Sequence, residues 1–351
     1  MGIPFAILFH GDGKTPDMSQ LLRAIFATLL CTVTACNVAR AQAPARLEVN
    51  VFPAGFIWPL WVAQDKSFFV QNGVDVHLIA TPNSVQQLTG LIDGKFDIGM
   101  TAIDNVIAYM EGQGEAPTRT KPDLVAVMGS SSGFLSLMVA PDVKTFSDLR
   151  GRTLSVDAMT TGYAFTLRKM LELSGLKDSD YSLVKVGGMK ERYEAMIAGK
   201  QSGTLSVPPF TLAAREKGFN ELATALGVFK HYQGGVAAVR REWAASHRKE
   251  LTGFIRGNLA ALDWLYDPAN KAEALRIFQN HLPGTSPEVA AKSYDVLLDP
   301  VNGFPKRAEI DTDGVNVAMD IRSQYGEPRK RLTDPTRYYD LSYYRAAIAK
   351  P

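Results

Sequence analysis

The sequence predicts an α/β protein of two similar rounds of strand–helix alternation followed by a helical tail. Three observations predict it. Short apolar runs at 47–51, 74–80, 96–100 and 124–128 alternate with segments of helical spacing. The alternation restarts near Ser136, and beyond residue 240 helical spacing takes over. Repeated βα units imply parallel α/β layers. Composition agrees: 46% of the 351 residues are apolar and 21% charged, enough to build packed cores. With 38 Lys+Arg against 36 Asp+Glu, there is no basic excess of the kind nucleic-acid binding requires.

Each element has a local reason. Leu47-Glu48-Val49-Asn50-Val51 alternates with period two, as a half-buried strand does. After the Pro53/Gly55 break, Leu60 to Gln71 has helical spacing and stops at Asn72-Gly73. Val74 to Ala80 is a second strand; Ser84 then reads as the N-cap of a helix ending at Asp93-Gly94. Phe96 to Met100 is the third strand, Asn105 to Gln113 a helix, Gly114 to Pro122 a loop. Leu124 to Met128 is apolar throughout, as expected of a sheet covered on both faces.

In the second round, strands are expected at 137–139, 153–156, 182–186 and 202–207. Helices are expected at 161–173 and 190–197, with a short helical turn at 146–149. Gly234 to Val239 returns the chain to extended structure. In the tail, Leu251, Phe254, Ile255, Leu262 and Leu265 share one helical face, and Ser286-Pro287 is an N-cap followed by proline at the first helical position. The divisions expected are 1–43, an N-terminal extension and signal peptide; 44–129, a first lobe; 130–235, a second lobe; and 236–351, a return to the first lobe with the C-terminal helices.

The N-terminal segment has its own grammar. From Met18, Arg23 supplies a positive region, Ala24 to Ala35 is an uncharged, largely apolar run, and Ala41-Gln42-Ala43 is an A-x-A cleavage signature. That is a secretory signal peptide rather than a membrane anchor, which needs roughly 20 apolar residues. Residues 1–17 fit no part of it, so Met18 reads as the start. Val33-Thr34-Ala35-Cys36 resembles a lipobox, which leaves lipidation at Cys36 as the competing reading; the clean A-x-A site favours cleavage. Loss of residues 1–43 leaves 308 residues at net charge +1, and both cysteines, Cys31 and Cys36, leave with it.

Catalytic signatures are missing. His77, His231, His247 and His281 are too dispersed in sequence for a metal pair, and no G-x-S-x-G, P-loop or G-x-G-x-x-G run occurs. No cofactor or metal site is expected. What stands out is polar and aromatic clustering where strands end, the place where ligands bind open α/β sheets. Phe56 and Trp58 follow the first strand, Thr101 and Asp104 the third, and Ser130 and Ser131 the fourth. Thr160, Thr161 and Tyr163 enter a helix whose free N–H groups suit an anion. Each also has a plainer role open to it: Thr160, Thr161 and Asp104 as helix caps, Trp58 as core.

The runs VFPAGFIWPLWVAQDKSFFVQNGVDVHLI, LIDGKFDIGMTAIDNVIAYMEGQ and VKTFSDLRGRTLSVDAMTTGYAFTLRKMLELSGL resemble the nitrate/sulfonate/taurine-type periplasmic substrate-binding proteins of ABC transporters, over residues 46–265. The resemblance implies a type II periplasmic binding fold, with two α/β lobes around a ligand cleft, and a monomeric, non-enzymatic receptor. Such a receptor delivers a small organic anion, a sulfonate or an aromatic carboxylate, to a permease in the inner membrane. The nine residues above take the ligand-facing positions. One departure is Gly199-Lys200-Gln201-Ser202-Gly203, where relatives carry a G-K-x-D-A-type run; the missing aspartate bears on the contacts around Pro208-Pro209. Two other readings compete: a binder of a thiamine pyrimidine precursor, and a receptor domain of a sensor system. A pyrimidine-making enzyme is disfavoured, since the Cys-rich iron motif of the fungal synthases has no counterpart after residue 43.

Overall fold

The computed structural model describes residues 43–349; the signal-peptide and lipobox segments lie outside the described residues. In chain order the first lobe contains β1 (Ala45–Val51), α1 (Trp58–Asp65), β2 (Val74–Ala80), α2 (Ser84–Ile92), β3 (Ile98–Ala102), α3 (Ile103–Met110) and β4 (Leu124–Ser131). The second contains β5 (Ser136–Val139), β6 (Thr153–Val156), α4 (Gly162–Leu173), β7 (Ser182–Lys185), α5 (Met189–Ile197), β8 (Gly203–Ser206), α6 (Phe210–Glu216) and β9 (Asn220–Thr224). The chain then enters β10 (Gly235–Arg240) and the tail helices α7 (Arg248–Leu265), α8 (Lys271–His281), α9 (Pro287–Leu297), α10 (Thr312–Tyr325) and α11 (Ser342–Ile348).

Two five-stranded sheets result, in the orders β2-β1-β3-β10-β4 and β7-β6-β8-β5-β9. In the first, β1 runs parallel to β2 and β3, and β10 inserts antiparallel between β3 and β4. In the second, β6 runs parallel to β7 and β8, and β5 lies antiparallel to β8 and β9. Each sheet therefore receives a strand directly after the chain has crossed from the other, through 132–135 and through 225–234. The two crossings put the carboxyl ends of the parallel strands of both lobes against each other.

Alternation decides which face each strand buries. Leu47, Val49 and Val51 of β1 are at most 3% exposed and join the first core. In α7 the face of Leu251, Phe254, Ile255, Leu262 and Leu265 is buried against α1 and α11. At about 25 cal/mol per Å² of apolar surface, such stripes supply most of the drive to fold. α10 packs on α3 of the first lobe and on α4 of the second, so the tail ties both lobes together.

Several boundaries differ from the sequence expectation for local reasons. The segment expected as one helix over 60–71 breaks after Asp65, where Ser67 adopts φ +59, before a short helix over Phe68–Gln71. The third strand sits two residues later, at Ile98–Ala102. Asn83, not Ser84, caps α2, its side chain accepting from the Gln86 N–H. The Ser286 cap holds: its hydroxyl accepts from Val289 N–H, with Pro287 at the first position. α6 and the edge strand β9 carry no clear period, and the sequence did not reveal them. Among the described residues, no helix is long and apolar enough to cross a membrane.

Candidate functional site between the lobes

The strand ends enclose a cavity whose lining comes from both lobes. Phe52 and Phe56 follow β1, Thr101 and Ala102 end β3, Asn105 opens α3, and Ser130 and Ser131 end β4. From the second lobe come Asp157 after β6, Thr161 and Tyr163 at the start of α4, and Met189 and Arg192 at the start of α5. The space open to water inside is about 50 Å³, enough for a few waters.

The lobes are closed on one another. Gly55 N–H donates to the Pro208 carbonyl at 3.1 Å and Gly188 N–H to the Pro82 carbonyl at 2.9 Å. Asp157 of the second lobe accepts from the Ser84 N–H at 3.1 Å and from the Ser84 hydroxyl, both at the start of α2 in the first lobe. A carboxylate at a helix N-terminus is favoured by the helix dipole as well as by these donors. Ser84 thus faces across the cleft instead of capping its own helix.

Arg192 is the principal residue that sequence reasoning missed. It is 2% exposed, and its guanidinium donates only to uncharged groups: Gly188 O at 3.3 Å, Thr204 Oγ1 at 3.3 Å, Leu205 O at 3.1 Å and the Met189 sulfur at 2.8 Å. Among the described residues, no carboxylate oxygen lies within 4.0 Å of its nitrogens. Burial lowers its pKa from the ordinary value, opposed by attraction to Asp157, Tyr163 and Glu191. An arginine nevertheless keeps its charge at neutral pH, so the cavity holds a cation without an ion-pair partner. The only sequence signal was its place: a lone arginine four residues beyond the Gly187-Gly188 turn that follows β7, at the edge where the other strand ends gather.

Six of the nine sequence-chosen residues line the cavity: Phe56, Thr101, Ser130, Ser131, Thr161 and Tyr163. Thr101 Oγ1 accepts from Asn105 Nδ2 at 3.0 Å, which leaves its proton free to donate into the cavity. Thr161 stands at the N-cap position of α4, yet its hydroxyl donates to the Ala158 carbonyl. Burial raises the Tyr163 phenol well above its ordinary pKa.

Three chosen residues are elsewhere. Trp58 is fully buried in the first core, edge-on to Phe278 at 4.7 Å and to Tyr294 at 5.9 Å. Thr160 donates its N–H (2.9 Å) and hydroxyl to Glu115 across the lobes. Asp104 is 2% exposed and paired with Arg322 of α10, whose Nε lies 2.8 Å from Oδ1; Nη2 reaches both the second Asp104 oxygen and the Thr160 carbonyl at 2.6 Å. Thr160 and Asp104 make contacts that join the lobes, Trp58 packs within the first core, and none of the three lines the cavity.

His231, Asp311 and Asp313 bring potential metal-ligand atoms within 4.8 Å of one another, at the surface. Asp311 is already engaged there, capping α10 and pairing with His231 Nδ1 at 3.1 Å. No residue of this group lines the cavity.

This geometry agrees with that of known structures. The periplasmic nitrate-binding protein NrtA of Synechocystis PCC 6803 superposes with a TM-score of 0.72 at 14% identity, over 87% of this chain and 88% of that one. The alkanesulfonate-binding protein SsuA of Xanthomonas axonopodis pv. citri, bound to MOPS, superposes with a TM-score of 0.68 at 17% identity, over 85% of this chain and 99% of that one. The two-lobed fold is therefore that of periplasmic binding proteins. In sequence, the bicarbonate transport ATP-binding protein CmpC of Synechocystis sp. is 24% identical over 251 residues, 65% of this chain and 36% of that protein. The chain thus spans about a third of the length of the curated relatives it matches. Residues 40–279 match a family description directly, and on that match the chain belongs to the NMT1-like family.

Proposed function

We propose that the protein is the periplasmic solute receptor of an ABC importer. In this reading it binds a small organic anion of the sulfonate or aromatic carboxylate class, does no chemistry on it, and presents it as a monomer to an inner-membrane permease. The observation that carries the reading is Arg192: a buried guanidinium with no carboxylate within 4.0 Å among the described residues, in a cavity between two lobes. Nη2 keeps one N–H beyond its contact with Met189, and an acid group bound there would accept a charge-assisted hydrogen bond from it. Thr101, with its hydroxyl proton unused, would add a donor, while Phe52, Phe56, Met189 and the Tyr163 ring would pack on the carbon skeleton. The nitrate- and sulfonate-binding functions in the names of the structural relatives support the same class. Periplasmic residence rests on those relatives and on the signal-peptide grammar.

The test is a thermal-shift and calorimetric panel of sulfonates, nitrate, aromatic acids and pyrimidines on the chain from Pro44 onward. A ligand at about 100 times its Kd stabilises the fold by roughly 2.7 kcal/mol. An acid is expected to bind, and Arg192→Met, checked for folding by circular dichroism, to lose most of that response. Binding of pyrimidines alone would support the thiamine-precursor reading instead, and turnover of any panel member would overturn the assignment as a receptor.

A further inference from the structure

Arg192 alone does not account for the second buried charge in the cavity. Asp157 is 8% exposed and lines the same cavity as Arg192. The two attract one another without forming an ion pair within 4.0 Å. Ser84 occupies Asp157 Oδ2 with its hydroxyl and its N–H, whereas Oδ1 receives only the long 3.4 Å arm of that same N–H. A carboxylate offers about four acceptor sites, so Oδ1 retains unused lone pairs beside the cavity.

This arrangement asks two things of a ligand. Its acid group meets Arg192. Whatever lies opposite Oδ1 must either donate a hydrogen bond or remain as a like charge beside a carboxylate in a poorly solvated space. A simple acid leaves Oδ1 unanswered; an acid with an N–H or O–H on a neighbouring atom satisfies both residues. We propose that Asp157 is a specificity-determining residue, selecting acids that carry an adjacent hydrogen-bond donor over simple acids of the same size. The proposal rests on the receptor reading and narrows its ligand class.

Matched pairs test it by titration calorimetry: ethanesulfonate against 2-hydroxyethanesulfonate and 2-aminoethanesulfonate, and benzoate against 2-hydroxybenzoate and 2-aminobenzoate. The donor-bearing member of at least one pair is expected to bind about tenfold tighter or more, as a hydrogen bond to a charged group allows. Asp157→Asn, which keeps the shape and removes the charge, is expected to tighten the simple acid and shrink that ratio. Ser84→Ala, which removes the hydroxyl contact and leaves the carboxylate, is expected to keep the ratio even where it weakens both members. Equal affinities within every pair would overturn the selectivity while leaving the receptor reading standing. So would a parallel loss for all ligands in both variants, which would make Asp157 a latch between the lobes and nothing more. If no panel member binds, the receptor reading fails and this inference fails with it.

Discussion

Replacing Arg322 by methionine removes one half of an ion pair closed off from water. Arg322 and Asp104 have side chains 0% and 2% exposed, and among the described residues the Asp104 carboxylate accepts hydrogen bonds from Arg322 alone. The guanidinium also serves the Thr160 carbonyl at 2.6 Å and lies 4.5 Å from the Phe165 ring. No water can take its place cheaply. Gly162 is packed so tightly on Asp104 that a Cβ there would stand 2.4 Å from the Asp104 Cβ. The methionine variant therefore strands a carboxylate where the first lobe, the second lobe and α10 meet. Breaking one side of a buried pair costs about 3–5 kcal/mol, whereas replacing both sides with apolar groups is often close to neutral. Urea unfolding followed by far-ultraviolet circular dichroism should show that loss for Arg322→Met, with much of it recovered in Arg322→Met combined with Asp104→Leu. The difference between single and double variants gives the coupling directly. A single variant that loses less than about 1 kcal/mol, against the 3–5 expected, would refute this reasoning. So would one that keeps its stability and loses ligand binding, since Asp104 would then belong to the ligand site.

Two further predictions concern stability. Trp58→Ala should cost about 3–5 kcal/mol, as large-to-small changes of buried tryptophan do, because its ring fills the first core between Phe278 and Tyr294; ligand affinity in the folded variant should change little. The fold should also weaken in acid. The Tyr325 hydroxyl, with Lys169, holds the Glu172 carboxyl below its ordinary 4.5, and Arg168 holds Asp178 below its ordinary 3.8. A depressed carboxyl pKa contributes stability that is present above the unfolded value and lost as pH falls through the folded one. Stability should hold down to about pH 5 and fall below 4.5, and Tyr325→Phe should flatten the part of that decline due to Glu172; an unchanged slope would disprove the role given to that contact.

The fold was legible because its signals are local and periodic. Alternation in β1, the apolar run of β4 and the single face of α7 each record burial directly. α6 and β9 were not legible because their side chains pack on a sheet edge, where neither period is enforced. The site was half legible for a related reason. The sequence showed which strand ends cluster, but not which way adjacent side chains point. Phe56 and Trp58 stand two positions apart at the start of a helical segment, so they cannot share a face, and only Phe56 reaches the cavity. Thr160 and Thr161 divide in the same way. Asp104 and Arg322 are 218 residues apart, a pairing that no local pattern announces. Arg192 was not singled out, because only the packing of α5 against β8 encloses it and no local pattern records that contact.

In the receptor reading proposed above, Arg192 receives the acid group of a bound ligand. A crystal structure of the protein with the tightest acid from the panel tests it most directly. Density is expected between the lobes, with an acid oxygen within hydrogen-bond distance of Arg192 Nη2 and the carbon skeleton against Phe56 and Tyr163. A ligand bound in that cavity with its acid group turned away from Arg192, or bound elsewhere on the protein, would contradict it.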